Sequence, residues 1–281
     1  MNQAEVLIIG VIYNTYPETL RYLDSLTPFA TDNIAVILAD NSDMEKPPEF
    51  LEKIKDYPFL SYIETGQNLG YFGGAREGLI YYLRQYSIYP QWIIVTNVDI
   101  VFTPQFLNRL YELNDRPNIG IVAPSIISKK WNVDYNPEIS VRYSKWRFYI
   151  YRLLYSSYLI HNLYLLAAYI KKFMLGLRRR KLEGLEYQPQ NVRKIYAPHG
   201  SCLVINRNYF ALGGTLDLPH FLFGEEIFLA ETAARLRVDV IYDPGILIYD
   251  YEHASTGFFV TPRINNYHRQ AIQSILIQYY R

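Results

Sequence analysis

Between Val6 and about Pro124, short runs of aliphatic and β-branched residues alternate with stretches of helical periodicity, and this alternation narrows the fold more than any other feature of the chain. The strand candidates are Val6–Ile12, Ile34–Ala39, Ser61–Glu64, Trp92–Thr96 and Ile119–Ala123. Pro17–Leu26, Pro48–Tyr57, Gly74–Tyr86 and Pro104–Asn114 read as the helices between them. Strands and helices that take turns need crossover connections, which build βαβ units and a mainly parallel sheet covered on both faces. The expected class is therefore α/β, a Rossmann-like, doubly wound nucleotide-binding half. With 281 residues, half of them hydrophobic, the chain can bury one large core, with or without an appended subdomain.

Three segments follow from this pattern: a nucleotide-binding half over 1–127, an aromatic and basic helical insert over 128–195, and a second half over 196–281. The last segment resumes with a strand at Ser201–Ile205, a turn at Gly213-Gly214, a helix at Glu225–Leu236, a strand at Val240–Tyr242 and a terminal helix at Arg263–Tyr280. The net charge of +1 hides an asymmetry. Ten basic residues and no acid lie between Ile139 and Leu182, so the remainder carries 1 − 10 = −9. One segment is thus built to meet anions. The amino terminus has no basic region ahead of its first apolar run, which argues against a secretory signal, and the single Cys202 cannot form an internal disulfide. Both features suit the reducing cytoplasm.

The strand Trp92–Thr96 ends in Asn97-Val98-Asp99. A carboxylate at the carboxyl end of a buried strand in an open α/β sheet faces the crevice where ligands sit. The simpler alternative is a cap for the helix that follows. The second strand ends similarly in Asp40, placed to meet a ribose or base, or to form an Asx turn. Asn68 opens a glycine-rich stretch through Gly70, Gly73, Gly74 and Gly78, with Arg76 inside it. Its glycines allow either close approach to an anionic ligand at a helix start or tight helix–sheet packing. The first strand has one glycine where a dinucleotide fingerprint needs three, and no Walker loop is present.

Taken in order, the runs VLIIGVIYN, AVILADNSD, NLGYFGGAREG and VTNVDI, followed by APHGSCLVINRNYF, GGTLDLPHFLFGEEIFLAETAARL and YDPGILIYDYEHAST, resemble the inverting nucleotide-sugar glycosyltransferases of family 2, which have the GT-A fold. The likeness covers roughly 5–125 and 196–257 and is strongest to bacterial rhamnosyltransferase-like members of polysaccharide biosynthesis. It implies a sugar transfer from a nucleoside diphosphate, such as dTDP-rhamnose or a UDP-hexose, to a hydroxyl of a glycan, often one carried on a polyprenyl diphosphate. By resemblance, Tyr13, Asn14, Asp40, Asn68, Gly70, Arg76 and Asn97 fall on the donor side, and Asp99 and His253 fall where a divalent metal, Mg²⁺ or Mn²⁺, is held. Asn97 stands where the family has an acid. The same resemblance implies that His199, Gly200, Ser201 and Asp217 line the acceptor or sugar pocket. Glu225-Glu226 occupies the family's Glu-Asp position, with Glu226 expected as the base that deprotonates the acceptor. Two acids at a helix start also simply satisfy the helix dipole.

The insert is too dilute in its apolar run to read as a membrane span, and it fits a cationic, Tyr-rich element lying on an anionic membrane surface. The alternative is a helical hairpin packed on the sheet or on another subunit of a homo-oligomer. Nucleic-acid binding is not expected. Two rival functions remain: a nucleotidyltransferase, which would need a basic glycine-rich loop where Tyr13-Asn14-Thr15-Tyr16 stands, and a non-catalytic scaffold that recruits partners through 139–182.

Overall fold

The computed structural model describes residues 4–30, 33–180, 191–251 and 260–280. β1 (Val6–Ile12) is buried along its whole length, as an uninterrupted apolar run is in a sheet covered on both sides. α1 (Tyr16–Leu26) leads to β2 (Ile34–Asp40), α2 (Pro48–Lys53) to β3 (Leu60–Glu64), and α3 (Gly70–Tyr86) to β4 (Trp92–Asn97). The four strands are parallel, in the order β3-β2-β1-β4. Because β1 lies between β2 and β4, the order switches direction beside it, which opens a crevice outside the carboxyl ends of β1 and β4.

After β5 (Ile100–Phe102), α4 (Phe106–Tyr111) and β6 (Ile119–Ser128), the chain makes α5 (Lys145–Leu154) and α6 (Tyr158–Arg180). It returns through β7 (Arg193–Lys194), β8 (Cys202–Asn206), α7 (Arg207–Ala211), α8 (Glu225–Leu236), β9 (Asp239–Asp250) and α9 (Pro262–Tyr279). The sheet continues past β4 as β8-β6-β9-β5, with β7 also paired to β9. β1, β2, β3, β4, β6 and β9 share one direction; β5, β7 and β8 oppose it. The expected mainly parallel α/β sheet is therefore present, with antiparallel strands in its second half.

Two differences from the sequence reading have local causes. α3 starts at Gly70, not Gly74, so the glycine-rich stretch forms the first turns of a helix instead of a loop. A Cβ at Gly74 would come within 2.8 Å of Asn41 Nδ2, and one at Gly78 within 2.7 Å of Ile9 Cγ2, so these glycines let α3 close onto β1 and β2. β9 runs twelve residues, far beyond Val240–Tyr242, because its second half also pairs with β6 and β5.

The chain divides into two compact units. The first takes the described residues of Met1–Arg142, Asn191–Leu218 and Glu225–His253 and contains the whole sheet; the second takes those of Tyr143–Gln190, Pro219–Gly224 and Ala254–Arg281. α9, placed by sequence with the second half, thus belongs with the insert helices. It buries Ala271, Ile272, Ile275 and Leu276, while Phe148 of α5 packs on Tyr280 at 4.6 Å between ring centroids. An apolar helix face goes where a matching face exists, irrespective of chain position. Among the described residues no single helix is long and apolar enough to cross a membrane; α5 and the start of α6 pass that test only together, bent by 113°.

Candidate active site

The carboxyl ends of β1 and β2 carry the donor-side candidates. Asn14, just past β1, adopts a left-handed backbone at φ 57°, a conformation Asn tolerates better than most residues. Hydrogen bonds tie both its main chain and its side chain down. The Asn14 N–H donates to Ser42 Oγ at 2.9 Å and its side-chain amide to Asp43 at 2.8 Å. The Tyr13 hydroxyl also donates to Asp43, at 3.1 Å, leaving the ring partly exposed. Asp40 is buried, and both oxygens accept: the Ser42 N–H at 2.9 Å on one, and the hydroxyls of Tyr16 and Tyr62 on the other. The Asx turn is therefore real, and Asp40 shapes the β2 end through three internal hydrogen bonds. Asn68 Oδ1 accepts the Gly70 N–H at 2.9 Å and so starts α3.

The end of β4 supplies the second group. The Asn97 N–H donates to the Ser201 carbonyl at 3.0 Å, joining the β4 and β8 ends. Two residues on, one carboxylate oxygen of Asp99 is buried and has no hydrogen-bond partner. Desolvation, reinforced by the charge of Asp250, pushes the Asp99 carboxyl up to about 7. Arg21, which stacks on Tyr251 at 4.3 Å, pulls weakly the other way. Asp250 ends β9 and accepts the Ser201 hydroxyl at 3.2 Å. Ser201 also lies 3.0 Å from His199 Nδ1. Burial pushes His199 down to about 4, so it is a neutral imidazole at physiological pH, stacked on Tyr135 at 5.0 Å.

The third group centres on α8. Glu225 is buried and Glu226 follows it in the first turn. Desolvation pushes the Glu226 carboxyl up to about 7; its own amide and that of Gly200 pull it back by hydrogen bonding, while the charge of Glu138 adds to the rise. A Cβ on Gly200 would stand 2.6 Å from Glu226 Oε1, so only glycine leaves this carboxylate its place. The Tyr71 hydroxyl donates to the Gly200 carbonyl at 2.9 Å, anchoring the same backbone to α3. Asp217 meets Arg76 at 2.9 Å, and its carboxyl is held low by that guanidinium and by the Thr215 hydroxyl.

The structure therefore brings His199, Gly200 and Ser201 together with Asp99 on one side and Glu226 on the other, and brings Arg76 to Asp217. Tyr13, Asn14 and Asp40 form a separate cluster at the β1 and β2 ends. His253 lies outside the described residues. Sequence reading missed Asp250 and Tyr71. Asp250 carries the same signal as Asp99, a carboxylate closing the apolar run Ile246-Leu247-Ile248-Tyr249, but the expected strand Val240–Tyr242 stops short of that run.

Among the described residues no group of three or more His, Cys, Asp or Glu side chains is arranged to hold a metal ion. The Asp99 region nevertheless fits a divalent cation. Its donors are hard oxygens, a buried carboxylate oxygen lacks a partner, and a second carboxylate crowds it. Ions such as Mg²⁺ need only one or two carboxylates when phosphate oxygens complete the shell.

Comparison with known proteins bears on the family and the fold. An N-acetylglucosaminyl-diphospho-decaprenol L-rhamnosyltransferase of Mycobacterium tuberculosis is 25% identical over 257 residues, 89% of this chain and 77% of the relative. The low-salt glycan biosynthesis hexosyltransferase Agl10 of Haloferax volcanii is 24% identical over 73% of this chain and 54% of its own length. Among solved structures, a mannosyltransferase from Pyrobaculum calidifontis in complex with GDP-Man and Mn²⁺ superposes with a TM-score of 0.50 at 15% identity, over 92% of this chain and 59% of that one. GalNAc-T7 with UDP, GalNAc and Mn²⁺ gives 0.56 at 11%, over 96% and 47%. These likenesses carry the GT-A fold. The description "Glycosyl transferase family 2" matches residues 7–210, well over half of the sequence, and the chain belongs to that family.

Proposed function

We propose that the protein transfers a sugar from a nucleoside diphosphate to a hydroxyl of a lipid-diphosphate-linked glycan, with inversion at the anomeric carbon. It would work at the cytoplasmic face of a membrane in the synthesis of a surface polysaccharide. The observation that carries this reading is Glu226, a carboxyl pushed up to about 7 and held against Gly200 at the start of α8. A base poised near neutrality both exists as carboxylate and accepts a proton readily.

In the reaction, the acceptor O–H proton passes to Glu226 while the acceptor oxygen bonds to the anomeric carbon on the face opposite the diphosphate. The bond from that carbon to the diphosphate oxygen breaks, and its electron pair leaves with the nucleotide. Tyr71 and Gly200 position Glu226, and Glu225 is buried behind it in the first turn of the helix. Ser201, His199 and Asp217 line the sugar side; Tyr13, Asn14, Asn68, Gly70 and Arg76 hold the nucleoside and its phosphates, with Asp40 keeping the β2 end in shape. Asp99, beside Asn97 and Asp250, would hold Mg²⁺ or Mn²⁺, which supplies charge neutralisation of the departing diphosphate. His253 is proposed to assist there.

A rhamnosyl or hexosyl donor is favoured by the names of the two relatives, and a polyprenyl-diphosphate acceptor by the first of them. Calorimetric titration with UDP, dTDP, GDP and CDP, each with and without Mn²⁺, tests the proposal. Metal-dependent binding of one nucleotide is expected. Absence of binding to all four by folded protein would reject it in favour of a non-catalytic scaffold.

A further inference from the structure

We infer that the outward faces of α5 and α6 form a docking surface for an anionic lipid bilayer. The assignment deepens the membrane-facing role proposed above and rests on it for its purpose, whereas its physical basis lies in the helical unit alone. Each helix turns one side inward: Phe148 of α5 packs on Tyr280, and His161 of α6 is 2.9 Å from Asn265 of α9. The opposite sides are apolar too. Trp146, Ile150 and Leu153 follow one stripe of α5, and Leu159, Leu163 and Ile170 one stripe of α6. Trp146 is 68% exposed, Leu153 69% and Leu163 66%. Large apolar side chains left in water along two adjoining helices mark a contact surface.

The charge pattern selects the occupant. Lys145, Arg147, Arg152 and Lys171 are exposed on the same helices, and no Asp or Glu occurs between 139 and 182. Leucine and tryptophan on a cationic helix suit the headgroup boundary, where apolar side chains enter the acyl region and Lys and Arg reach anionic phosphates. Among the described residues neither helix alone is long and apolar enough to cross a bilayer, and the 113° bend between them suits a pair lying in the interface. A second copy of the chain is a poorer occupant, because a two-fold contact would press this acid-free segment against itself.

Co-sedimentation of the full chain with vesicles tests the inference, using phosphatidylcholine alone and phosphatidylcholine mixed with phosphatidylglycerol. Binding is expected only to the mixed vesicles, weakening as salt is raised. Lys145→Gln and Arg152→Gln should each reduce it roughly fivefold, the effect of about 1 kcal/mol per charge at such a surface. Leu153→Asp combined with Leu163→Asp should abolish it; both sites are exposed, and an unchanged melting curve verifies the fold. The same protein titrated with nucleotide separates the two proposals. Nucleotide binding without vesicle binding overturns the docking surface alone, and vesicle binding without nucleotide binding overturns only the catalytic reading. The surface is also overturned by equal binding of wild type and the double Asp variant, by membrane association that resists alkaline carbonate, or by a dimer that Leu153→Asp dissociates while vesicles go unbound.

Discussion

The guanidinium of Arg76 and the carboxylate of Asp217 meet at 2.9 Å across 141 residues of chain, joining α3 of the donor side to the turn that follows α7. Both side chains are largely exposed, so the pair contributes little to stability. Its consequence is electrostatic: Asp217 holds part of the charge that Arg76 would offer to a phosphate. Arg76→Ala should weaken nucleoside-diphosphate binding about tenfold, the scale of a lost charged hydrogen bond. Asp217→Asn should tighten binding or leave it unchanged. Calorimetry on both variants checks the pair, and a tenfold loss in Asp217→Asn would contradict it.

Glu226→Gln should retain nucleotide affinity and lose about 10²–10⁴-fold in kcat, the range of a general base. The wild-type rate should rise with pH and level off above about 7, following deprotonation of Glu226. The variant should lack that limb. A variant that keeps wild-type turnover would remove Glu226 from the base role.

The same carboxyl makes stability depend on pH. Its value rises from 4.5 to about 7 on folding, so between those values the folded chain keeps a proton that the unfolded chain has released. Stability must then fall as pH rises through that window and stay level above it with respect to this group. At pH 8 Glu226→Gln should be more stable than wild type by on the order of 1–2 kcal/mol, with the advantage gone near pH 4. Thermal melts at the two pH values decide it; a destabilised variant at pH 8 would show that the carboxylate is well solvated.

Gly200→Ala should fold and fail in transfer. The added methyl would lie 2.6 Å from Glu226 Oε1, the far end of a flexible side chain, which can swing away at small cost in stability but not in alignment. The expected result is a near-normal melting temperature with kcat reduced about a hundredfold, since small misplacements of a reacting group have effects of that size.

Asp99→Ala should abolish the Mn²⁺-dependent part of nucleotide affinity and spare whatever binding occurs without metal. Asp250→Asn should lower that metal-dependent part to a lesser degree, because Asp250 crowds Asp99 while accepting from Ser201. Titrations with and without Mn²⁺ read both effects, and an undiminished metal response in Asp99→Ala would move the metal elsewhere.

Strand and helix identity was legible because it rests on short-range periodicity. β1 and α8 fall on the residues expected, and the other main strands begin within a residue of expectation. The glycine-rich stretch was harder to read. Gly70, Gly73, Gly74 and Gly78 have the composition of a ligand loop, and only the close approach of Gly74 to Asn41 and Val11 and of Gly78 to Ile9 shows that the stretch is a helix packed on the sheet. Asp40 was equally ambiguous, since an acid that binds a ligand and one that satisfies Tyr16, Tyr62 and Ser42 look alike in sequence.

The alternating elements, the acid at the end of β4, the acidic start of α8 and the cationic insert are legible in the chain's order of residues, because each is written in residues a few positions apart. Which of them meet is set by the packing of the folded chain. Asp99 faces Asp250 because β5 pairs with β9, Glu226 reaches Gly200 because α8 closes over the start of β8, and α9 joins the insert because its apolar stripe finds a partner there. Long-range pairing is set by sheet order and matching apolar faces, which no local pattern encodes.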